Sequence, residues 1–391
     1  MKGMKRFAAL MLCALVPLLS GTAMAQDAPL EENVPVELSC PSAILIEAST
    51  GQVIFEKNAD EQRPVASVTK IMTILLTLEA IEQKAVSLDD QVMVSQNAAG
   101  MGGSQALLDA NQPYALGELL KSTIVASAND AAVALAEHIA GAQEVFVQRM
   151  NARAKELGLE NTNYVNCTGL PAEGQHTTAR DVATLSRQLD RFPLYYKYST
   201  IWMDTIAHKG GRVTELTNTN RLIRFYENCD GYKTGSTNEA KYCVSASAKR
   251  GGLRLIAVVL GAPGGQVRFD EARKMLDYGF ANYQMSKVVG EGADMDMQVA
   301  VKMGLKDSVG VLAGEEISML LRKGEEGALS IEVALPETIT APVQKGEAIG
   351  EITVRKGERV VATAPAVAAE SIGMPGMLEA LLRILENWRV N

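Results

Sequence analysis

Apolar runs of two textures alternate along this chain. AILIE (43–47) and QVIFE (52–56) are short, rich in strand formers and joined around Ser49-Thr50-Gly51, so they predict a β-hairpin. Val68–Ile81 is apolar nearly all round, which marks a helix buried inside a domain rather than one lying on its surface. Leu116–Ile139 predicts two more helical stretches, broken near Ser127. Glu144–Leu157 is another helix with Gly158 as its stop, and Arg180–Leu189 a further one. The pattern then changes. Tyr242–Ala248 and Leu253–Leu260 predict strands separated by Lys249-Arg250-Gly251-Gly252, followed by a helix over Val267–Tyr283. Hairpin, helices, hairpin and closing helix describe an α+β domain over 26–284 with a mostly antiparallel sheet.

From Met285 onward short apolar runs (297–301, 317–321, 329–333, 349–354 and 360–364) alternate with glycine and charge every ten or so residues, which predicts a small all-β domain over 285–370. In 371–391, Met374, Met377, Leu378, Leu381, Leu382, Leu385 and Trp388 recur at helical spacing, an amphipathic stripe.

At the other end, Lys2, Lys5 and Arg6 precede an apolar stretch from Phe7 to Leu19 and an exit of Ala23-Met24-Ala25. That three-part layout is read as a secretory leader over 1–25, too short for a membrane span. Its removal takes away three positive charges, leaving a chain more acidic than the −8 of the full sequence and a poor match for nucleic acid. Only His138, His176 and His208 occur, with no HExxH and no paired CxxC, so no metal or other cofactor is expected. Cys40, Cys167, Cys229 and Cys243 remain after the leader. A turn predicted at Ser236–Asn238 could bring Cys229 and Cys243 opposite each other, or they could be separate buried thiols; the sequence does not choose.

The candidate chemistry lies in three places. Ser67-Val68-Thr69-Lys70 puts a hydroxyl and an amine on one helix face at i and i+3. Serine needs a base within hydrogen-bond reach, and lysine can serve only if burial lowers its pKa, as the apolar helix beside it would. Pro64-Val65-Ala66 before the serine predicts a helix N-terminus there, where N–H groups favour negative charge on a substrate oxygen. Ser127-Ala128-Asn129 interrupts two apolar helices, so its polar groups can face a cleft; an ordinary helix cap, with Asp130 as rival, is the plainer account. Lys233-Thr234-Gly235 ends a predicted strand. Lys233 and Thr234 suit an anionic carboxylate, and Gly235 allows close approach of a ligand backbone; a plain hairpin is the alternative.

Taken in order, S-x-x-K, S-x-N and K-T-G form a set far more specific than any member. With RPVASVTKIMT, NCTGLPAEGQHTTARDVATLS and DGYKTGSTNEAKYCVSASA, the chain resembles the serine D-alanyl-D-alanine carboxypeptidases, the low-molecular-mass penicillin-binding proteins. The resemblance is close over roughly 35–285. It implies a penicillin-binding, β-lactamase-like fold. It makes Ser67 the nucleophile and Lys70 its base, with Ser127 and Asn129 relaying protons and holding the peptide. Lys233 and Thr234 would bind the terminal carboxylate, and the N–H groups of Ser67 and Ser236 would form the oxyanion hole. The implied substrate is peptidoglycan pentapeptide ending in D-Ala-D-Ala, and β-lactams would inhibit by acylating Ser67.

Two positions depart from the pattern: Ala128 stands where glycine is more common, and Thr219 where some relatives carry an arginine. Arg268 then becomes the candidate cation for the substrate carboxylate, or else a surface helix residue. No E-x-x-L-N segment lies between Asn129 and Lys233, which argues against a β-lactamase. A D,D-endopeptidase or transpeptidase would use the same residues. In the family such a terminal helix lies in the membrane surface, and Trp388 with the leucine stripe of 371–391 fits that, at a location outside the cytoplasmic membrane; a dimerising or core-docking helix is the plainer alternative.

Overall fold

The computed structural model describes residues 36–377. The leader reading over 1–25 lies outside the described residues, as does most of the helix expected over 371–391.

In chain order the first elements are β1 (Ser42–Glu47), β2 (Val53–Lys57), a 3-10 turn at Ala66–Thr69, α1 (Lys70–Glu82), β3 (Gln91–Met93), α2 (Gln96–Ala99) and β4 (Pro113–Ala115). Next come α3 (Leu116–Val125), α4 (Asn129–Ala140), α5 (Gln143–Glu156), α6 (Ala179–Gln188), α7 (Pro193–Ser199), β5 (Met203–Ala207), β6 (Val213–Thr217) and α8 (Leu222–Phe225). The domain closes with β7 (Cys229–Thr237), β8 (Lys241–Arg250), β9 (Leu253–Ala262) and α9 (Val267–Asn282).

The main sheet has the order β2-β1-β9-β8-β7, antiparallel throughout. It is buried on both faces. Along β9, Ile256, Val258 and Leu260 face the large core shared with α1, α3, α4 and α6, while Leu255, Ala257 and Val259 face α9. This explains why AILIE and LRLIAVVL are continuous apolar runs rather than alternating ones. β7 is the sheet's edge, and it lies against the 3-10 turn at the head of α1. Helix α1 is buried nearly all round, as its sequence requires: Ile71, Met72, Ile74, Leu75 and Leu78 are all within the core.

The remaining strands are β10 (Tyr283–Val289), β11 (Asp294–Lys302), β12 (Ser308–Ala313), β13 (Ile317–Arg322), β14 (Leu329–Ala334), β15 (Thr338–Thr340), β16 (Ala348–Lys356) and β17 (Arg359–Ala368). β10 pairs with β13, and a six-stranded sheet runs β14-β16-β17-β12-β11-β15. Its core is separate, built on Val299, Val309, Val311, Ile352, Val354 and Ala366.

Several expectations are corrected in detail. The turn after the K-T-G strand comes at 238–240, because Ser236 and Thr237 continue β7 and pair with Tyr242 and Lys241. Lys233 therefore stands in mid-strand, not at a strand end. Of the two readings left open for Cys229 and Cys243, the structure has the separate buried thiols: Cys229 lies opposite Ala248, and Cys243 opposite Gly235. The closing helix stops at Asn282, and Tyr283 begins β10.

Candidate active site

Ser67 sits in the 3-10 turn that leads into α1, one turn before Lys70. The preceding residue, Ala66, has φ 47°, a left-handed value that a non-glycine residue holds only under constraint from its surroundings. The constraint is visible. A Cβ on Gly169 (φ +82°) would stand 1.9 Å from the Ala66 carbonyl oxygen, so the 166–170 turn presses directly on the backbone before the serine.

Lys70 Nζ lies 2.9 Å from Ser67 Oγ and donates to the Thr168 carbonyl at 2.7 Å. The lysine is fully buried. Burial pushes its amine down from the ordinary 10.5 to about 7, against the opposing pull of Cys167 and Asp130. A neutral lysine can accept the serine proton, and this one is neutral in a substantial fraction of molecules near neutral pH.

Ser127 connects α3 to α4 and also has a left-handed backbone, φ 61°. Its Oγ is buried without a hydrogen-bond partner among the described residues, and so is Asn129 Oδ1. Buried polar atoms left unpaired are costly, so both have hydrogen-bonding capacity that the described residues leave unused. The loop facing them is tied in place. Asn129 Nδ2 donates to the Gly102 carbonyl at 2.7 Å, and Asp130 accepts from the N–H groups of Ala106 and Leu108. Asp130 is thus the anchor of this loop, beyond the capping role its position suggested.

β7 brings Lys233, Thr234 and Gly235 to the sheet edge. Lys233 is buried, and burial together with the charges of Lys70 and Arg268 pushes its amine well below the usual range. Thr234 Oγ1 donates to Thr219 Oγ1 at 2.7 Å. Gly235 is needed for a reason other than ligand approach: a Cβ there would meet the Val65 carbonyl oxygen at 2.3 Å and the Ser67 nitrogen at 2.9 Å. The strand is pressed against the segment carrying the serine. Ser236 is exposed on the same strand.

Arg268 is half-buried, with its guanidinium turned in toward β7 and β8. Its Nη1 donates to the Gly235 and Cys243 carbonyls at 3.0 and 3.2 Å, and its guanidinium lies over Tyr242 and Phe269. The structure joins Ser67 to Lys70, Gly235 to Ser67, and Arg268 to Gly235. Thr168 escaped the sequence reading because it acts through its carbonyl. The Asn166 and Gly169 that flank it are a turn signature, but nothing in the sequence names the turn's partner.

A serine–lysine pair at the head of a buried helix, beside a K-T-G sheet edge, is the arrangement of penicillin-binding proteins and their relatives. Comparison with known sequences narrows this. The D-alanyl-D-alanine carboxypeptidase family pattern matches residues 26–264, and that of the penicillin-binding protein 5 C-terminal domain matches 283–373. The chain is 40% identical over 348 residues to D-alanyl-D-alanine carboxypeptidase DacF of Bacillus subtilis, covering 89% of each. It is 35% identical to DacC of Escherichia coli over 84% of this chain and 83% of that one. The solved penicillin binding protein 5 of Haemophilus influenzae superposes with a TM-score of 0.75 at 30% identity, over 87% of this chain and 99% of that one. The chain belongs to the D-alanyl-D-alanine carboxypeptidase family.

Proposed function

We propose that this protein is a serine D-alanyl-D-alanine carboxypeptidase that trims the terminal D-Ala from peptidoglycan pentapeptides. The observation that carries the reading is the Ser67–Lys70 contact of 2.9 Å, made by a fully buried amine brought down to about 7. Ser67 Oγ attacks the carbonyl carbon of the penultimate D-Ala while its proton passes to the neutral Lys70 amine. The N–H groups of Ser67 and Ser236 hold the oxyanion. The C–N bond then breaks, and the proton reaches the leaving amine through the unpaired Ser127 hydroxyl. Water hydrolyses the resulting ester and restores Ser67.

Asn129 Oδ1, also unpaired, accepts an N–H of the substrate peptide. Lys233 and Thr234 receive the terminal carboxylate. That carboxylate supplies the counter-charge Lys233 lacks, offsetting the burial and the neighbouring cations that hold it down. Arg268 adds positive charge behind the same strand. β-Lactams enter as acylating mimics of the peptide, and a penicillin adduct seen by intact mass and lost in Ser67→Ala tests this assignment.

The same reading sets the protein to work outside the cytoplasmic membrane, exported by 1–25 and resting on the membrane surface through 371–391. Its support is the peptidoglycan chemistry of the family and the apolar stripe of the terminal segment. Among the described residues no helix is long and apolar enough to cross a membrane.

A further inference from the structure

We propose that Asn166 is a positioning residue for Lys70: by folding the 166–170 turn it holds the Thr168 carbonyl against the lysine amine. The inference rests on the reading of Lys70 as the base that activates Ser67.

The Asn166 side chain uses both ends. Its Oδ1 accepts from Thr168 N at 3.1 Å, Thr168 Oγ1 at 3.1 Å and Gly169 N at 2.7 Å, while its Nδ2 donates to the Leu170 carbonyl at 2.9 Å. A single amide therefore fixes the peptide planes on both sides of Thr168. The consequence is directional. With those planes fixed, the Thr168 carbonyl points at Lys70 Nζ, 2.7 Å away. One helical turn later, Thr73 Oγ1 donates to the Cys167 carbonyl at the same distance, 2.7 Å. Two donors on one face of α1 thus grip two consecutive carbonyls of the turn.

This matters for how the amine presents itself. A neutral lysine amine has two N–H bonds and one lone pair, and it can spin about its terminal C–N bond. An N–H committed to a carbonyl on one side limits that rotation and leaves the lone pair for the Ser67 hydroxyl, 2.9 Å away on the other. Ser67 Oγ and the Thr168 carbonyl are the hydrogen-bond partners of Nζ among the described residues. The carbonyl also favours the ammonium form, because it accepts from it. The titratable groups that act on Lys70 are Asp130 from α4 and Cys167 from the turn, and the Lys70 charge is felt by Lys233 on β7; changes at Asn166 alter neither Asp130 nor Lys233, while Cys167 moves with the turn.

The test is the rate of acylation by a fluorescent penicillin across pH, in the full chain, for N166D, N166S and N166A beside K70R. N166D keeps an oxygen for the three N–H and O–H donors; its acylation is expected to reach nearly the parental plateau, with its midpoint moved to higher pH by the added carboxylate. N166A loses the turn's organiser and is expected to be roughly 100-fold slower, the scale of a misplaced reacting group. Its midpoint moves to lower pH, since the ammonium has lost an acceptor; a merely structural role would lower the rate without moving it. N166S, with one hydroxyl, falls between, and reports in place of N166A if that variant does not fold. Equal rates and midpoints across the three, or N166D as slow as N166A, overturn the positioning role. Acylation of K70R at the parental rate overturns instead the reading of Lys70 as base. Loss in K70R with an ordered Asp, Ser, Ala series supports both.

Discussion

The buried amine of Lys70 makes the sharpest numerical prediction. Bringing its pKa from 10.5 to about 7 means that its surroundings, burial foremost, penalise the ammonium by a net of roughly 5 kcal/mol relative to water, at 1.36 kcal/mol per pH unit. If the neutral amine is the form that takes the Ser67 proton, acylation should follow its fraction. The rate should be near its plateau above about pH 8, half of it near pH 7, and about 100-fold lower at about pH 5. An unperturbed lysine behaves differently. It would be less than about 0.1% neutral at pH 7, and the rate would climb about tenfold per unit through pH 9. Stopped-flow mixing with a fluorescent penicillin, read as a second-order rate constant from about pH 5 to 9, separates the two curves. A midpoint near 7 is the expected result, and Lys70→Arg, whose side chain stays charged, should abolish acylation. A rate still rising steeply above pH 8, or one independent of pH, would refute the claim that burial sets the base.

The same burial bears on stability. Between about 7 and 10.5 the unfolded chain binds the proton that native Lys70 sheds, so stability from this group rises with pH through that window, and the full cost is present below it. Lys70→Met should therefore raise the melting temperature at neutral pH, the gain trimmed by the unpaired Thr168 carbonyl at about 1–3 kcal/mol; a lower melting temperature would count against the burial argument. Gly235→Ala would drive a Cβ to 2.3 Å from the Val65 carbonyl oxygen, so overpacking of about 1–3 kcal/mol and a fall in penicillin labelling are expected. Unchanged labelling would show that β7 need not press on the serine segment. Removing 371–391 should shift the protein from the membrane fraction to the soluble one, and unaltered fractionation would sink the surface-helix proposal.

Much of this was legible in the sequence where one local pattern decides the outcome. Ser67 and Lys70 meet because i and i+3 share a helix face, and Lys70 is buried because the helix around it is apolar on every side. The strands β8 and β9 are plain in their apolar runs. What escaped depends on pairing across distance or on small elements. The β5–β6 hairpin is two five-residue strands whose outward positions Met203, Thr205, Val213 and Glu215 are a mixture of polar and apolar residues. β12 reads SVGVLA, its pattern interrupted by Gly310. Arg268 was legible as a cation but not as one whose Nη1 donates to the carbonyls of Gly235 and Cys243. Thr168 is the clearest case: its carbonyl reaches Lys70 from 98 residues away, and backbone groups carry no identity in a sequence.

The most direct test of the central claim is release of D-Ala from a diacetyl-L-Lys-D-Ala-D-Ala peptide by the purified protein, measured beside Ser67→Ala. The parent is expected to release D-Ala and the variant none, with penicillin blocking the parent in step with labelling of Ser67. Release that persists in Ser67→Ala, or a parent that neither releases D-Ala nor takes the label, would contradict it.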